Sequence, residues 1–209
     1  MIRILIADDH EVVRRGLKQI LAETSDMAVT DEASNGEEVL DKVNSKAFDV
    51  VLLDISMPGK SGLDVLKQLR SIRPQLPVLV LSIYPEEQYA VRVLKAGASG
   101  YLTKESAPEE LISAIRKVSS GRKYITPSLA EKLAHQLDFT SERPLHEILS
   151  DRGYQVMVMI ASGKALKEIA ESLSLSVKTV STYRSRILEK MGMKNNAELV
   201  RYAIQNNLL

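Results

Sequence analysis

Two apolar runs that end in acid constrain this chain more than anything else in it. Ile2-Arg3-Ile4-Leu5-Ile6-Ala7 leads into Asp8-Asp9, and Asp49-Val50-Val51-Leu52-Leu53 leads into Asp54. Both runs are rich in β-branched and large apolar residues without strict alternation, as in strands of a parallel sheet covered on both faces. Strand-like runs and helical periodicity then alternate along the chain. The pattern predicts strands near 2–7, 28–33, 49–54, 77–81 and 99–103, and helices near 11–23, 36–46, 61–73, 86–96 and 107–120. Such alternation implies an α/β fold with a five-stranded, right-handed, doubly wound parallel sheet.

In open sheets of this kind, sites form beyond the carboxyl ends of the strands. Asp8, Asp9 and Asp54 therefore converge at one edge. Two further runs end there: Val78-Leu79-Val80-Leu81 reaches Ser82, and Ser99-Gly100-Tyr101-Leu102-Thr103 reaches Lys104. Carboxylates at close range repel unless a cation sits among them, and a hard divalent ion such as magnesium suits oxygen ligands. With a hydroxyl and an ammonium added, the set has the parts needed to make and hold an acyl phosphate. Asp54 would attack phosphorus, the metal and Lys104 would neutralise the phosphoryl oxygens, and Ser82 would hydrogen-bond one of them. Singly, each residue has a plainer reading as a helix cap, turn former or surface charge; the ordered set is what carries the chemistry. His10 reads as a helix-start residue, and no His/Cys metal spacing occurs in the chain.

Gly121 ends the fifth helix, and the stretch 122–145 reads as a linker. It contains one short helix from Ser128 to about Leu137, entered through Thr126-Pro127, and then a polar run from Asp138 to Pro144. After Leu149 only helical periodicity remains. Ser150 caps a helix from Asp151 to Ser162 closed by Gly163, and a second runs from Leu166 to Leu173. Ser176 caps a third that reaches Met191 before Gly192, and a fourth spans Asn196 to Asn206. Two short helices and a longer capped one form a helix-turn-helix pattern.

Projected at about 100° per residue, the third helix gathers Val180, Ile187 and Met191 on one face, with Val177 and Leu188 beside them. Lys178, Thr182, Ser185 and Glu189 lie opposite, flanked by Ser181 and Arg186. These short polar and cationic side chains suit a major groove. Arg184 projects toward the apolar side and is expected in a structural role, such as a buried or rim ion pair, and Tyr183 at the edge of that face is expected to pack rather than stack on bases. Met157 and Met159 read as core filling, and His135 and His146 carry no assigned function.

The length of 209 residues suits two domains. Residues 1–121 hold 15 Lys/Arg against 18 Asp/Glu, and residues 122–209 hold 13 against 9. The basic second half is the one that would meet a polyanion. The absence of cysteine excludes disulfide and thiol chemistry. No signal peptide pattern opens the chain and no apolar stretch approaches the ~18 residues of a membrane span, so a cytoplasmic protein without membrane attachment is expected.

Residues 1–121 resemble the receiver domain of bacterial two-component response regulators, a flavodoxin-like fold. The likeness is carried by Asp8-Asp9, Asp54 with Met57-Pro58-Gly59 and Gly62, Ser82, and Ala96-Gly97-Ala98 leading to Tyr101 and Lys104. It implies that Asp9 and Asp54 bind magnesium directly, that Asp8 acts mainly through water, and that the Ser56 backbone carbonyl completes the protein's ligands. It further implies that Tyr101 is a switch aromatic turning inward as Ser82 moves. Residues 149–209 resemble the four-helix DNA-binding domain of the NarL/FixJ (LuxR-type) regulators. The motifs include Leu149-Ser150-Asp151-Arg152, Ala161-Ser162-Gly163, Lys167-Glu168-Ile169-Ala170, Lys178-Thr179-Val180 and Lys190-Met191. Gly153 and Gln155 stand where the family usually has glutamates, and Ser181 and Tyr183 where it usually has lysine and histidine. The run Ser181-Thr182-Tyr183-Arg184-Ser185-Arg186 is closer to the GacA/UvrY type within the family.

Together these readings imply a receiver domain over 1–121, a linker over 122–145 and a DNA-binding domain over 146–209. They describe a transcription factor whose Asp54 is phosphorylated by a sensor histidine kinase and which then binds double-stranded DNA. The candidate DNA contacts are Lys167, Lys178, Thr179, Ser181, Thr182, Ser185, Arg186 and Lys190. Phosphorylation would favour a homodimer, and a dimer through the last helix would use Leu199, Ala203 and Ile204. The chain would be no enzyme beyond its own phosphoryl transfer. Two rivals belong to other classes: a magnesium-dependent phosphatase or phosphotransferase, opposed by Ser56 where a second acid is needed, and a protein-interaction module.

Overall fold

In the computed structural model, which describes residues 1–137 and 144–209, the chain forms two compact units, Met1–Ala134 and His135–Leu209. The part of the polar run from Asp138 to Arg143 lies outside the described residues. The first unit is built on strands β1 (Ile2–Ala7), β2 (Met27–Ala33), β3 (Val50–Asp54), β4 (Val78–Ser82) and β5 (Gly100–Thr103). They pair in parallel in the order β2-β1-β3-β4-β5. Helices α1 (Glu11–Ala22), α2 (Gly36–Ser45), α3 (Gly62–Ile72), α4 (Glu86–Lys95) and α5 (Pro108–Ser119) follow the strands in turn. This is the doubly wound sheet that the alternating pattern implies.

The apolar runs do not alternate because both sheet faces are covered. Ile4, Ile6, Leu52, Leu79, Leu81 and Leu102 form a core with Leu21 of α1 and Leu111, Ile115 and Val118 of α5. Their neighbours Leu5, Val51, Leu53 and Val80 point to the opposite face and are also fully buried. Each such side chain contributes about 1.5–3 kcal/mol of burial. The strand order reverses between β1 and β3, which opens a crevice at their carboxyl ends.

The first unit extends past Gly121, because β5 is an edge strand with open backbone groups that the next segment takes up. The Tyr124 amide donates to the Ser99 carbonyl at 2.8 Å, forming a parallel bridge with Gly100. Glycine is required at that position, since a Cβ on residue 100 would lie 2.8 Å from the Tyr124 Cβ. The Tyr124 hydroxyl donates to Glu110 and the Thr126 hydroxyl to Glu86, each at 2.7 Å. Thr126 also accepts from the Leu129 amide at the start of α6 (Pro127–Leu137), and Leu129 is buried. The early part of the expected linker is thus an edge cover.

The second unit contains a 3-10 turn, Leu145–Ile148, and helices α7 (Asp151–Ala161), α8 (Leu166–Ser172), α9 (Val177–Met191) and α10 (Asn196–Gln205). Helix α7 is the central element: Tyr154, Val156, Met157, Val158, Met159 and Ile160 are all buried. Against it pack Ile169 of α8, Val180, Ile187 and Met191 of α9, and Leu199 and Ala203 of α10. Ser150, Ser176 and Asn195 cap α7, α9 and α10 by accepting backbone N–H bonds.

Three expectations for this unit are corrected. Leu199 and Ala203 have no exposed surface and cannot form a dimer contact; of the three residues named for it, only Ile204, at 61% exposure, faces solvent. Val177 is 47% exposed because it is the first residue of α9, and a helical Cβ leans toward the N-terminus and past the supporting helices. Arg184 makes no ion pair among the described residues. Its Nε donates to Asn196 Oδ1 at 2.7 Å, so its structural contact is with a neutral amide rather than an acid.

Candidate functional site

Because the strands are parallel, their carboxyl ends carry the expected residues to one edge. Asp8 follows β1, Asp54 and Ser82 are the last residues of β3 and β4, and Lys104 follows β5. The Lys104 Nζ lies 2.7 Å from Asp54 Oδ2 and 2.6 Å from Asp8 Oδ2, and both carboxylates are buried. Asp54 Oδ1 accepts from the Ser56 amide at 2.9 Å. Asp9 is half-open to solvent, and one ligand atom from each of Asp8, Asp9, His10 and Asp54 lies within 4.8 Å of the others. His10 therefore belongs to the cluster by position: its amide donates to Asp8 Oδ1 at 2.9 Å, and its Nδ1 lies 3.0 Å from Asp9 Oδ1.

Two supporting residues were not assigned these roles from sequence. Arg14 of α1 donates to the Asp8 backbone carbonyl at 2.7 Å and to Glu32 at 3.2 Å, which holds the β1–α1 turn. A lone arginine in a helical pattern carries no signal of that contact. Gly62 starts α3 so close to β3 that a Cβ would lie 2.2 Å from the Asp54 carbonyl oxygen and 2.5 Å from the Ile55 Cα. The glycine lets the helix press against the Asp54 end of β3.

The electrostatics follow from burial. Removal from water pushes the Asp54 carboxyl above the usual carboxylate range, and the Lys104 ammonium opposes that rise. Burial alone would lower Lys104, but Asp54 and then Asp8 outweigh it and raise the ammonium, so it stays charged. Three carboxylates face one fixed cation, which leaves negative charge for a divalent ion to balance. The oxygen-rich donor set suits a hard cation.

The Ser82 hydroxyl is fully buried and accepts from the Tyr84 amide at 3.1 Å. Tyr101 is 1% exposed, turned inward, and its hydroxyl donates to the Tyr84 carbonyl at 2.7 Å. Burial drives that phenol well above its ordinary value, so it remains a donor. Tyr84 is thus held at both backbone ends, by the serine and by the aromatic.

In the second unit, Lys178, Thr182, Ser185, Arg186 and Lys190 are exposed along α9, Lys167 is exposed on α8, and Thr179 and Ser181 are half-buried. Lys178, Thr179, Thr182, Tyr183 and Arg186 together line a hollow on the helix surface. Tyr183 is only partly buried, so it borders the polar face as well as packing. Among the described residues no helix is long and apolar enough to cross a membrane.

Comparison with known proteins agrees with this geometry. Residues 4–116 match the response regulator receiver domain family, and residues 147–203 match the bacterial regulatory proteins of the luxR family. The chain is 39% identical over 209 residues to the response regulator UvrY of Escherichia coli K12, covering 100% of this chain and 96% of that protein. It is 37% identical over 210 residues to the response regulator GacA of Pseudomonas viridiflava, covering 100% of this chain and 98% of that one. RcsB from Salmonella enterica serovar Typhimurium, solved bound to a promoter in the presence of the phosphomimetic BeF3-, is similar with a TM-score of 0.65 at 25% identity, covering 97% of this chain and 98% of RcsB. The chain therefore belongs to the two-component response regulators, phosphorylation-controlled transcription regulators that join a receiver domain to a LuxR-type DNA-binding domain.

Proposed function

We propose that Asp54 accepts a phosphoryl group from a sensor histidine kinase and that the resulting acyl phosphate controls binding of the second unit to double-stranded promoter DNA. The observation that supports this best is the Lys104 ammonium placed between Asp54 and Asp8 at the strand ends. In the transfer, an Asp54 carboxylate oxygen forms a bond to phosphorus while the bond from phosphorus to the kinase's imidazole nitrogen breaks, the electron pair leaving with that nitrogen. Lys104 stabilises the attacking carboxylate beforehand and the phosphoryl oxygens afterwards. Asp8, Asp9, Asp54 and the Ser56 backbone carbonyl would hold magnesium, which supplies positive charge that offsets the carboxylates and the phosphoryl oxygens.

Ser82 moves to donate its hydroxyl to a phosphoryl oxygen, and that movement draws its oxygen away from the Tyr84 amide. Since Tyr101 binds the other end of the same residue, the exchange is felt at the start of α4. The domains in this reading are a receiver over 1–121 completed by the edge cover around Tyr124, Thr126 and Leu129, a linker in the remainder of 122–145, and a DNA-binding domain over 146–209. Lys178, Thr179, Ser181, Thr182, Ser185, Arg186 and Lys190 on α9, with Lys167 on α8, face the DNA. The RcsB complex with promoter DNA and a phosphomimetic supports this use of the fold.

The protein works in the cytoplasm and forms a homodimer when phosphorylated, which sets two α9 helices on half-sites about one DNA turn apart. Its catalysis is confined to its own phosphoryl gain and loss. The testing experiment selects genomic DNA fragments with purified protein, with and without magnesium and beryllofluoride. A shared, roughly palindromic site enriched only with the mimic is the expected result. Equal enrichment in both samples refutes the gating, and none in either refutes DNA binding.

A further inference from the structure

The hydroxyl groups along α9 are not equally free to donate. The Thr182 hydroxyl donates back to the Lys178 carbonyl at 3.0 Å, and the Ser185 hydroxyl to the Ser181 carbonyl at 3.2 Å. The Thr179 hydroxyl is tied to the Ser176 hydroxyl at 2.8 Å. Such back-bonding uses the donors of Thr182 and Ser185 on their own helix. The Tyr183 phenol has no hydrogen bond among the described residues, and it lines the same hollow as Lys178, Thr179, Thr182 and Arg186. Tyr183 and Arg186 stand three residues apart, so they are neighbours on the helix surface. The arrangement pairs one neutral donor with a guanidinium at the mouth of a concave, cationic surface.

We propose that Tyr183 is a positioning residue for DNA, its hydroxyl donating to a backbone phosphate oxygen alongside Arg186. The inference rests on the DNA-binding reading above. Phosphate contacts from neutral side chains fix the register of a protein on the duplex but carry no sequence information. A phenol, unlike a lysine or arginine, displaces no counterion. Its loss therefore weakens binding without changing the salt dependence. The ring keeps its packing at the edge of the core, where Tyr183 is partly buried, so the hydroxyl can be removed without opening a cavity.

The test compares full-length wild-type, Tyr183→Phe and Arg186→Ala proteins, activated with magnesium and beryllofluoride. Affinity is measured against the selected genomic site and against a mixed-sequence duplex over a series of salt concentrations. Tyr183→Phe should bind both duplexes roughly tenfold more weakly, the size expected for a hydrogen bond to a charged acceptor. Its salt slope and its thermal midpoint should equal those of wild type. Arg186→Ala should lower the salt slope by about one. Unchanged affinity for Tyr183→Phe overturns the proposal, as does a loss accompanied by a lower thermal midpoint, which would make the phenol structural. A loss confined to the selected site overturns the phosphate assignment. Failure of the wild-type protein to bind either duplex would instead remove the DNA-binding reading itself.

Discussion

Replacing Lys104 with methionine removes the charge between Asp54 and Asp8 while keeping the length of the side chain. Both carboxylates are 1% exposed and the lysine is 11% exposed, with contacts of 2.6 and 2.7 Å. Water can do little to screen what remains. Removing one partner of a buried, hydrogen-bonded pair costs about 3–5 kcal/mol, and here one ammonium serves two acids. At pH 7, without divalent ions, the urea midpoint of the first unit should fall by roughly 1.5–2.5 M for a slope of about 2 kcal/mol/M. Far-UV circular dichroism reads the transition, and amide exchange in β1 and β3 assigns it to the sheet. The sign of the pH dependence follows from Asp54, whose carboxyl is already raised by burial. A raised carboxyl favours the folded state below its unfolded value, and that benefit is lost as pH rises through the folded value. Without Lys104 that folded value rises further, so the deficit of the variant should shrink as pH falls toward 4. A midpoint within about 0.3 M of wild type at pH 7, or a deficit independent of pH, would refute the claim that Lys104 neutralises this edge.

Gly62→Ala should destabilise the first unit by about 3 kcal/mol or more, because the added Cβ meets backbone atoms 2.2 and 2.5 Å away that cannot rotate aside. Differential scanning calorimetry should show a drop of roughly 10 °C or more, and unchanged melting would mean that α3 is not seated against Asp54 as described. Asp31→Asn tests a different edge. Its carboxyl is held down to about 2 by Lys42 and then Lys46, so its contribution is present above the ordinary value of 3.8 and lost as pH falls through the folded one. The substitution should cost about 1 kcal/mol at pH 7 after allowance for solvent screening, narrowing between pH 4 and 2; a cost that grows on acidification would contradict the assignment.

Much of the acidic sheet edge was legible because its grammar is local. Four of the strands are short apolar runs with a site residue at their last position or immediately after it, and parallel pairing brings those ends together. The helix boundaries were legible for a similar reason: Ser150 and Ser176 signal their helix starts by their own chemistry. Contacts across many residues were not legible. Nothing in the run Arg122-Lys123-Tyr124-Ile125-Thr126 announces that it covers β5, since that depends on Gly100 lacking a Cβ and on Glu86 and Glu110 lying within reach. The last helix was misread for a related reason. Leu199, Ala203 and Ile204 are alike in being apolar, which suggested a shared dimer contact, and only packing against α7 showed that two are core and one is surface.

The amino-acid sequence by itself determined the class of fold, the order of strands and helices, and the identity of the acids, hydroxyl and lysine at the sheet edge. Those follow from periodicity and residue chemistry, which act over a few positions. Only the tertiary structure decided which charges touch, which hydroxyls are spent and which remain free. Lys104 meets both Asp8 and Asp54, Tyr84 is tied to Ser82 and Tyr101, and Tyr183 keeps an unused donor while Thr182 and Ser185 do not. Such pairings depend on distances of an ångström or two between segments far apart in the chain, and a linear pattern holds no information at that scale.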